Sequence, residues 1–153
     1  MAQNTIQFSE CIERLTAEEF AWWHAVDRAV ENEDGADLSA LVDESMADDE
    51  IGDMLQGLTL LLYETSGTVY LYAEEDADVG VVGMLVCAFL RRFRPGDTFY
   101  LTWASACSKP RPGEFGGGML IADKDGWDSL EVGELHQLTR SQLREITALT
   151  RAG

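Results

Sequence analysis

A chain of 153 residues with 28 Asp and Glu against 11 Lys and Arg has a net charge of −17, which disfavours direct contact with nucleic acid phosphates or anionic membranes and favours basic partners. It is 46% hydrophobic, too apolar for a disordered acidic tail and long enough to bury one core, so a single domain over 1–153 is expected. Cys11, Cys87 and Cys107 have no paired spacing, no leader-like segment opens the chain, and the longest apolar run, Val79 to Leu90, falls short of the roughly twenty residues of a membrane span. A cytoplasmic protein is expected.

The charge divides unevenly. Residues 1–90 hold twenty acids against Arg14 and Arg28, a balance of −18, whereas residues 91–153 hold eight acids against nine bases. The sequence therefore divides into an acidic helical half, 1–64, and a strand-helix-hairpin half, 65–153, that ends in a helix.

In chain order, Asn4-Thr5-Ile6-Gln7 reads as a capping box for a helix over 5–14, with Phe8, Cys11, Ile12 and Leu15 at helical spacing. Thr16-Ala17-Glu18-Glu19 is a second capping box, opening a helix to about Asn32. A short helix follows through Leu38, Leu41 and Val42. A fourth is predicted over 48–62, although Leu58 to Tyr63 also suits a strand and Gly57 weakens a helix. Thr65-Ser66-Gly67 is a turn and Thr68 to Ala73 a strand. Residues 79–93 form an apolar helix with Arg91, Arg92 and Arg94 complementing the dipole at its C-terminal end. Thr98 to Ala104 and Gly118 to Ala122 read as strands. Asp123-Lys124-Asp125-Gly126 reads as a turn rather than a calcium loop, and Trp127 to Gln137 is ambiguous. Thr139-Arg140-Ser141-Gln142 caps a last helix reaching about Arg151. The fold class expected is α+β: N-terminal helices packed with a small antiparallel sheet of about three strands in β-α-β-β order, then a C-terminal helix.

Two surfaces stand out as candidate sites. The first is the loop between the last two predicted strands, where Trp103, Cys107, Ser108, Lys109, Arg111, Glu114, Gly116, Gly117 and Gly118 gather a thiol, a hydroxyl, cations and a carboxylate beside glycines that permit close approach. The second comprises the acid clusters Asp48, Asp49, Glu50 and Glu74, Glu75, Asp76, Asp78, which pair for acid/base work, mimic a phosphate backbone, or simply solvate helix starts. Adjacent Trp22 and Trp23 cannot both enter one narrow helical stripe, so one is expected to face a partner unless the wider bundle covers it.

Catalytic motifs are weak. Cys107 beside Lys109 and Arg111 suits a nucleophile, but neither His24 nor His136 is placed as its base. The CxxC, HxE and HExxH spacings of zinc sites are absent, and GEFGGG lacks the Lys and Ser/Thr of a phosphate loop and precedes a strand. No metal or cofactor is expected.

The segments Phe93-Arg94-Pro95-Gly96-Asp97, Leu101-Thr102-Trp103-Ala104, Cys107-Ser108-Lys109-Pro110-Arg111 and Gly113 to Gly118 resemble FRPxDxxxLTWAxxCSKPRxGEFGGG, a stretch shared by uncharacterised proteins of phages, plasmids and other bacterial mobile elements. The likeness covers roughly 68–122 and fades after Gly118. It implies a mobile-element origin and transfers no activity. Charge and resemblance together suggest a non-enzymatic acidic binding protein that modulates or inhibits a basic host protein, DNA mimicry being one form of this. The alternative is a small enzyme or ligand-binding protein built on the hairpin loop, and self-association through that loop is a third expectation.

Overall fold

The computed structural model describes residues 4–32, 35–42, 57–109, 116–131, 139–142, 144, 145 and 148. Its centre is a six-stranded sheet, antiparallel at every pairing, formed by β1 (Asn4–Ile12), β2 (Thr59–Tyr63), β3 (Thr68–Ala73), β4 (Phe99–Cys107), β5 (Gly116–Asp123) and β6 (Gly126–Glu131) in the spatial order β2-β3-β1-β4-β5-β6. Among the described residues, helices α1 (Ala17–Glu31), α2 (Gly35–Val42) and α3 (Val79–Phe93) accompany it.

This corrects the expected three-stranded sheet in β-α-β-β order. The helix expected over 5–14 is the strand β1: Phe8 pairs with Ala73 and Ile12 with Val69 on one side, while Asn4 to Gln7 pair with Cys107 to Ala104 on the other. Of the helix expected over 48–62, residues 48–56 lie outside the described residues and Thr59 to Tyr63 are the edge strand β2. Gly57, at φ +84° and with no room for a Cβ against the Asp76 carbonyl, leads into that strand in a conformation no helix continues. The ambiguous stretch after Asp125 supplies β6.

Other elements follow their local signals. Thr16 caps α1 through a reciprocal box: its hydroxyl accepts from the Glu19 N–H, and the Glu19 carboxylate accepts from the Thr16 N–H at 2.9 Å. β3 and α3 match their predicted spans. At the C-terminal end Thr139 and Gln142 make the same reciprocal bonds, and Arg140, Ser141, Gln142, Arg144, Glu145 and Ala148 are helical.

Alternation in the strands sends one set of side chains into the core. Ile12, Leu60, Val69, Leu71, Leu101, Leu120 and Ala122 are buried there with Trp23, Val26, Leu38, Leu85 and Phe89 of the helices. Trp22 and Trp23 are both buried: of the two expectations, the bundle covers them and neither faces outward. Their rings meet edge to face at 4.9 Å, and both lie against Phe89. Both can be covered because α1 has a second helix, α2, packed on it as well as the α3 aromatics. Among the described residues neither indole N–H finds an acceptor, at a cost of about 1–3 kcal/mol each that the apolar burial must outweigh.

Arg94 caps α3 and joins three segments. Its Nε donates to Glu19 at 2.6 Å, and its NH2 group donates to the carbonyls of Glu13 and Arg14 at 3.0 Å. Burial pushes the Glu19 carboxyl up, but the bond from Arg94 and those from Thr16 outweigh it and hold the group below its ordinary value of 4.5.

Two outcomes follow. Arg94→Ala, which strands a buried carboxylate, is expected to lower stability by about 3 kcal/mol in urea unfolding. Because the folded-state value of Glu19 is depressed, its contribution is complete above the unfolded value and is lost as pH falls through the folded one. As pH falls below about 4.5, Glu19→Gln is therefore expected to lose less stability than the wild type.

Candidate interaction surface

Cross-strand partners share a face, so the register fixes what each face displays. The face opposite the core carries Leu61 and Tyr63 of β2, Tyr70 and Tyr72 of β3, Gln7, Ser9 and Cys11 of β1, Tyr100 and Thr102 of β4, Met119 and Ile121 of β5, and Leu130 of β6. Eight large apolar side chains are exposed among the described residues, and seven lie on this face; Tyr100 at 57% and Tyr63 at 49% are the most open. The strands place only two charged residues there, Asp123 and Asp128, both at the β5–β6 edge. An apolar, nearly uncharged face on a chain of charge −17 is the clearest departure from an ordinary solvated surface.

Several candidates meet at one end of this sheet. The Ile6 N–H donates to the Glu75 carbonyl and the Gln7 side chain donates to that of Glu74 at 2.8 Å, so the acidic connection after β3 runs along one side of β1. On the other side Ile6 pairs with Ser105 and Asn4 with Cys107, at the root of the hairpin loop. Two strand spacings, about 10 Å, separate the two backbones at Ile6. The acidic cluster and the hairpin root, far apart in the sequence, thus flank the same half of β1. On the open face beside them, Gln7, Ser9, Tyr72 and Glu74 line a shallow depression of about 400 Å³.

Taken singly, the candidates divide. Glu74, Glu75 and Asp76 are exposed, whereas Asp78 is the N-cap of α3, its carboxylate accepting from the Gly80 N–H at 2.8 Å. Asp48, Asp49, Glu50, Arg111 and Glu114 lie outside the described residues. Cys107 is buried at the end of β4, and Ser108 and Lys109 follow it exposed. His24 lies exposed on α1, in the helical layer rather than beside β4. Cys87 sits against the Arg91 guanidinium at 3.3 Å, within α3. Cys11 is half-buried, and burial, with Glu13 and Glu10 nearby, pushes its thiol up. No group of His, Cys, Asp or Glu among the described residues is arranged to hold a metal.

The glycine run has a packing role. Trp103 pairs with Gly118, and a Cβ on Gly118 would stand 2.4 Å from both the Trp103 ring and the Leu130 carbonyl. Gly117, at φ +152°, leaves no room against the Trp103 carbonyl. Trp127 repeats the device on α3, its indole lying where a Cβ on Gly83 would be, 2.6 Å away. Asp123 closes the β5–β6 turn by accepting from the N–H groups of Asp125 and Gly126, as the turn reading expects.

The alternation of Ile6 and Phe8 with Gln7 and Ser9, and of Val69 and Leu71 with Tyr70 and Tyr72, is the sequence signal that points to the open face.

Gly118→Ala forces a Cβ into the Trp103 ring and the neighbouring strand. It is expected to cost about 1–3 kcal/mol in urea unfolding, with a shift in tryptophan emission. Compared with known protein families, curated proteins and solved structures, the chain matches none.

Proposed function

We propose that the chain is a non-enzymatic binding protein whose open sheet face docks a basic protein. The observation that carries this is the concentration of Leu61, Tyr63, Tyr70, Tyr100, Met119, Ile121 and Leu130 on one nearly uncharged face of an acidic molecule. Tyrosines suit such a role, since they bring large contact area with a polar tip at low entropic cost. The rim supplies direction: Glu74, Glu75 and Asp76 border the face at one end and Asp123 and Asp128 at the opposite edge, so the field draws in cations and the apolar face holds what arrives. The likeness of residues 93–118 to mobile-element proteins supports a host protein as the target, modulated or inhibited by occupancy. In its mimicry form, carboxylates take the places of phosphates on a nucleic-acid-binding partner.

The test starts from capture with the intact protein, followed by identification of the partner and direct affinity measurement. The expected partner is basic, its affinity falls at least tenfold between about 0.1 and 0.5 M salt, and Tyr70→Lys with Tyr100→Lys weakens it about tenfold or more without changing the melting temperature. Competition by duplex DNA supports the mimicry form. A partner that is neutral and indifferent to salt, or equal binding by the double variant, overturns the reading.

A further inference from the structure

The two edges of the sheet differ in a way that decides what can pair with them. An edge strand turns the N–H and C=O groups of alternate residues outward, and proteins guard such edges with charges, prolines or bulges. β6, Gly126-Trp127-Asp128-Ser129-Leu130-Glu131, carries two carboxylates on the strand itself and follows Asp123 and Asp125 in the turn. β2, Thr59-Leu60-Leu61-Leu62-Tyr63, carries no charge and no proline, and no described strand pairs with its outer side. In a chain with twenty acids in its first ninety residues, an unguarded run of three leucines on a sheet edge is the exception.

We infer that β2 pairs with β2 of a second copy of this chain, forming a twofold dimer with one continuous twelve-stranded sheet. Antiparallel pairing centred on Leu61 sets Leu61 opposite its own copy, Thr59 opposite Tyr63 and Leu60 opposite Leu62. No charged residue of either strand then faces another. The same operation at β6, centred on Asp128, would set Asp128 opposite its own copy and Glu131 opposite Asp125, which like-charge repulsion opposes. The twofold axis stands perpendicular to the sheet, so both helical layers lie on one side and both open faces on the other. Tyr63, Leu61 and Tyr70, already exposed beside the edge, become the middle of the joined face. This inference concerns the edge and stands whether or not the face binds a basic protein.

The salt dependence separates the two ideas. Two copies of charge −17 repel, so salt strengthens the dimer, whereas it weakens attachment of a basic partner. Sedimentation of the full chain is expected to give twice the 16.9 kDa of one chain, with the dimer fraction rising with salt. Leu61→Glu and Leu61→Lys, at an exposed position, are each expected to be monomeric and folded, with a melting temperature that no longer depends on protein concentration, and an equal mixture of the two is expected to recover the dimer, because opposite charges then meet on the axis. If either variant fails to fold, the pair Tyr63→Glu and Tyr63→Lys replaces it: each variant alone is expected to shift the equilibrium towards monomer. Asp128→Lys is expected to leave the dimer unchanged. A monomeric wild type at every salt concentration overturns the inference. So does a dimer that survives Leu61→Glu, or one lost in Ile121→Lys but kept in Leu61→Glu, which would mean face-to-face contact.

Discussion

The pair formed by Glu19 and Arg94 holds the helical layer in register with the sheet. Glu19 sits in the first turn of α1 and is almost fully buried, so its charge requires a partner, and Arg94 arrives from the far end of α3. The same guanidinium binds the carbonyls of Glu13 and Arg14, where the chain leaves β1 through Arg14 at φ +56°. One side chain therefore fixes the exit of β1, the start of α1 and the end of α3. With these three points fixed, the helices gather on one face and the other is left open. The open face proposed to dock a basic protein depends on that asymmetry.

Local chemistry reveals some elements and hides others. Capping boxes at Thr16 and Thr139 are complete within four residues, and they read correctly. The apolar run of α3 and the alternation of β3 do likewise. β1 misleads because Phe8, Cys11, Ile12 and Leu15 imitate helical spacing, while its alternation is broken by Glu10, which faces the core side opposite Leu71. What makes it a strand is pairing with residues about sixty and a hundred positions away, and no local window contains them. β2 misleads differently. Leu60 and Leu62 point to the core, but Leu61 points to the open face, so consecutive leucines resemble a buried helix. β6 buries so little that its main anchor is the Trp127 indole on the glycines of α3, a contact invisible without the fold.

The candidate sites show the same division. The glycine run looks like a binding loop because glycine permits approach; here what approaches at Gly117 and Gly118 is the chain's own Trp103. The acidic and hairpin segments belong to opposite halves of the sequence, yet β1 brings them within two strand spacings. The sheet preserves the division of the chain, with β2-β3-β1 from the first half and β4-β5-β6 from the second, and α3 crosses the seam to pack on β5 and β6. The open face belongs to neither half alone, which is why no segment advertises it.

The central position of β1 also bears on how the protein is made. β1 cannot complete its pairing until residues 69–73 and then 104–107 have been synthesised. Most of the chain must emerge before the sheet closes, and long-range pairing of this kind is slow and exposes unpaired strands while it waits. The segment that waits carries the −18. Like charge on two copies of this segment opposes their contact through the open edges of β1, β2 and β3 before the sheet is complete, just as it shapes the field of the finished one.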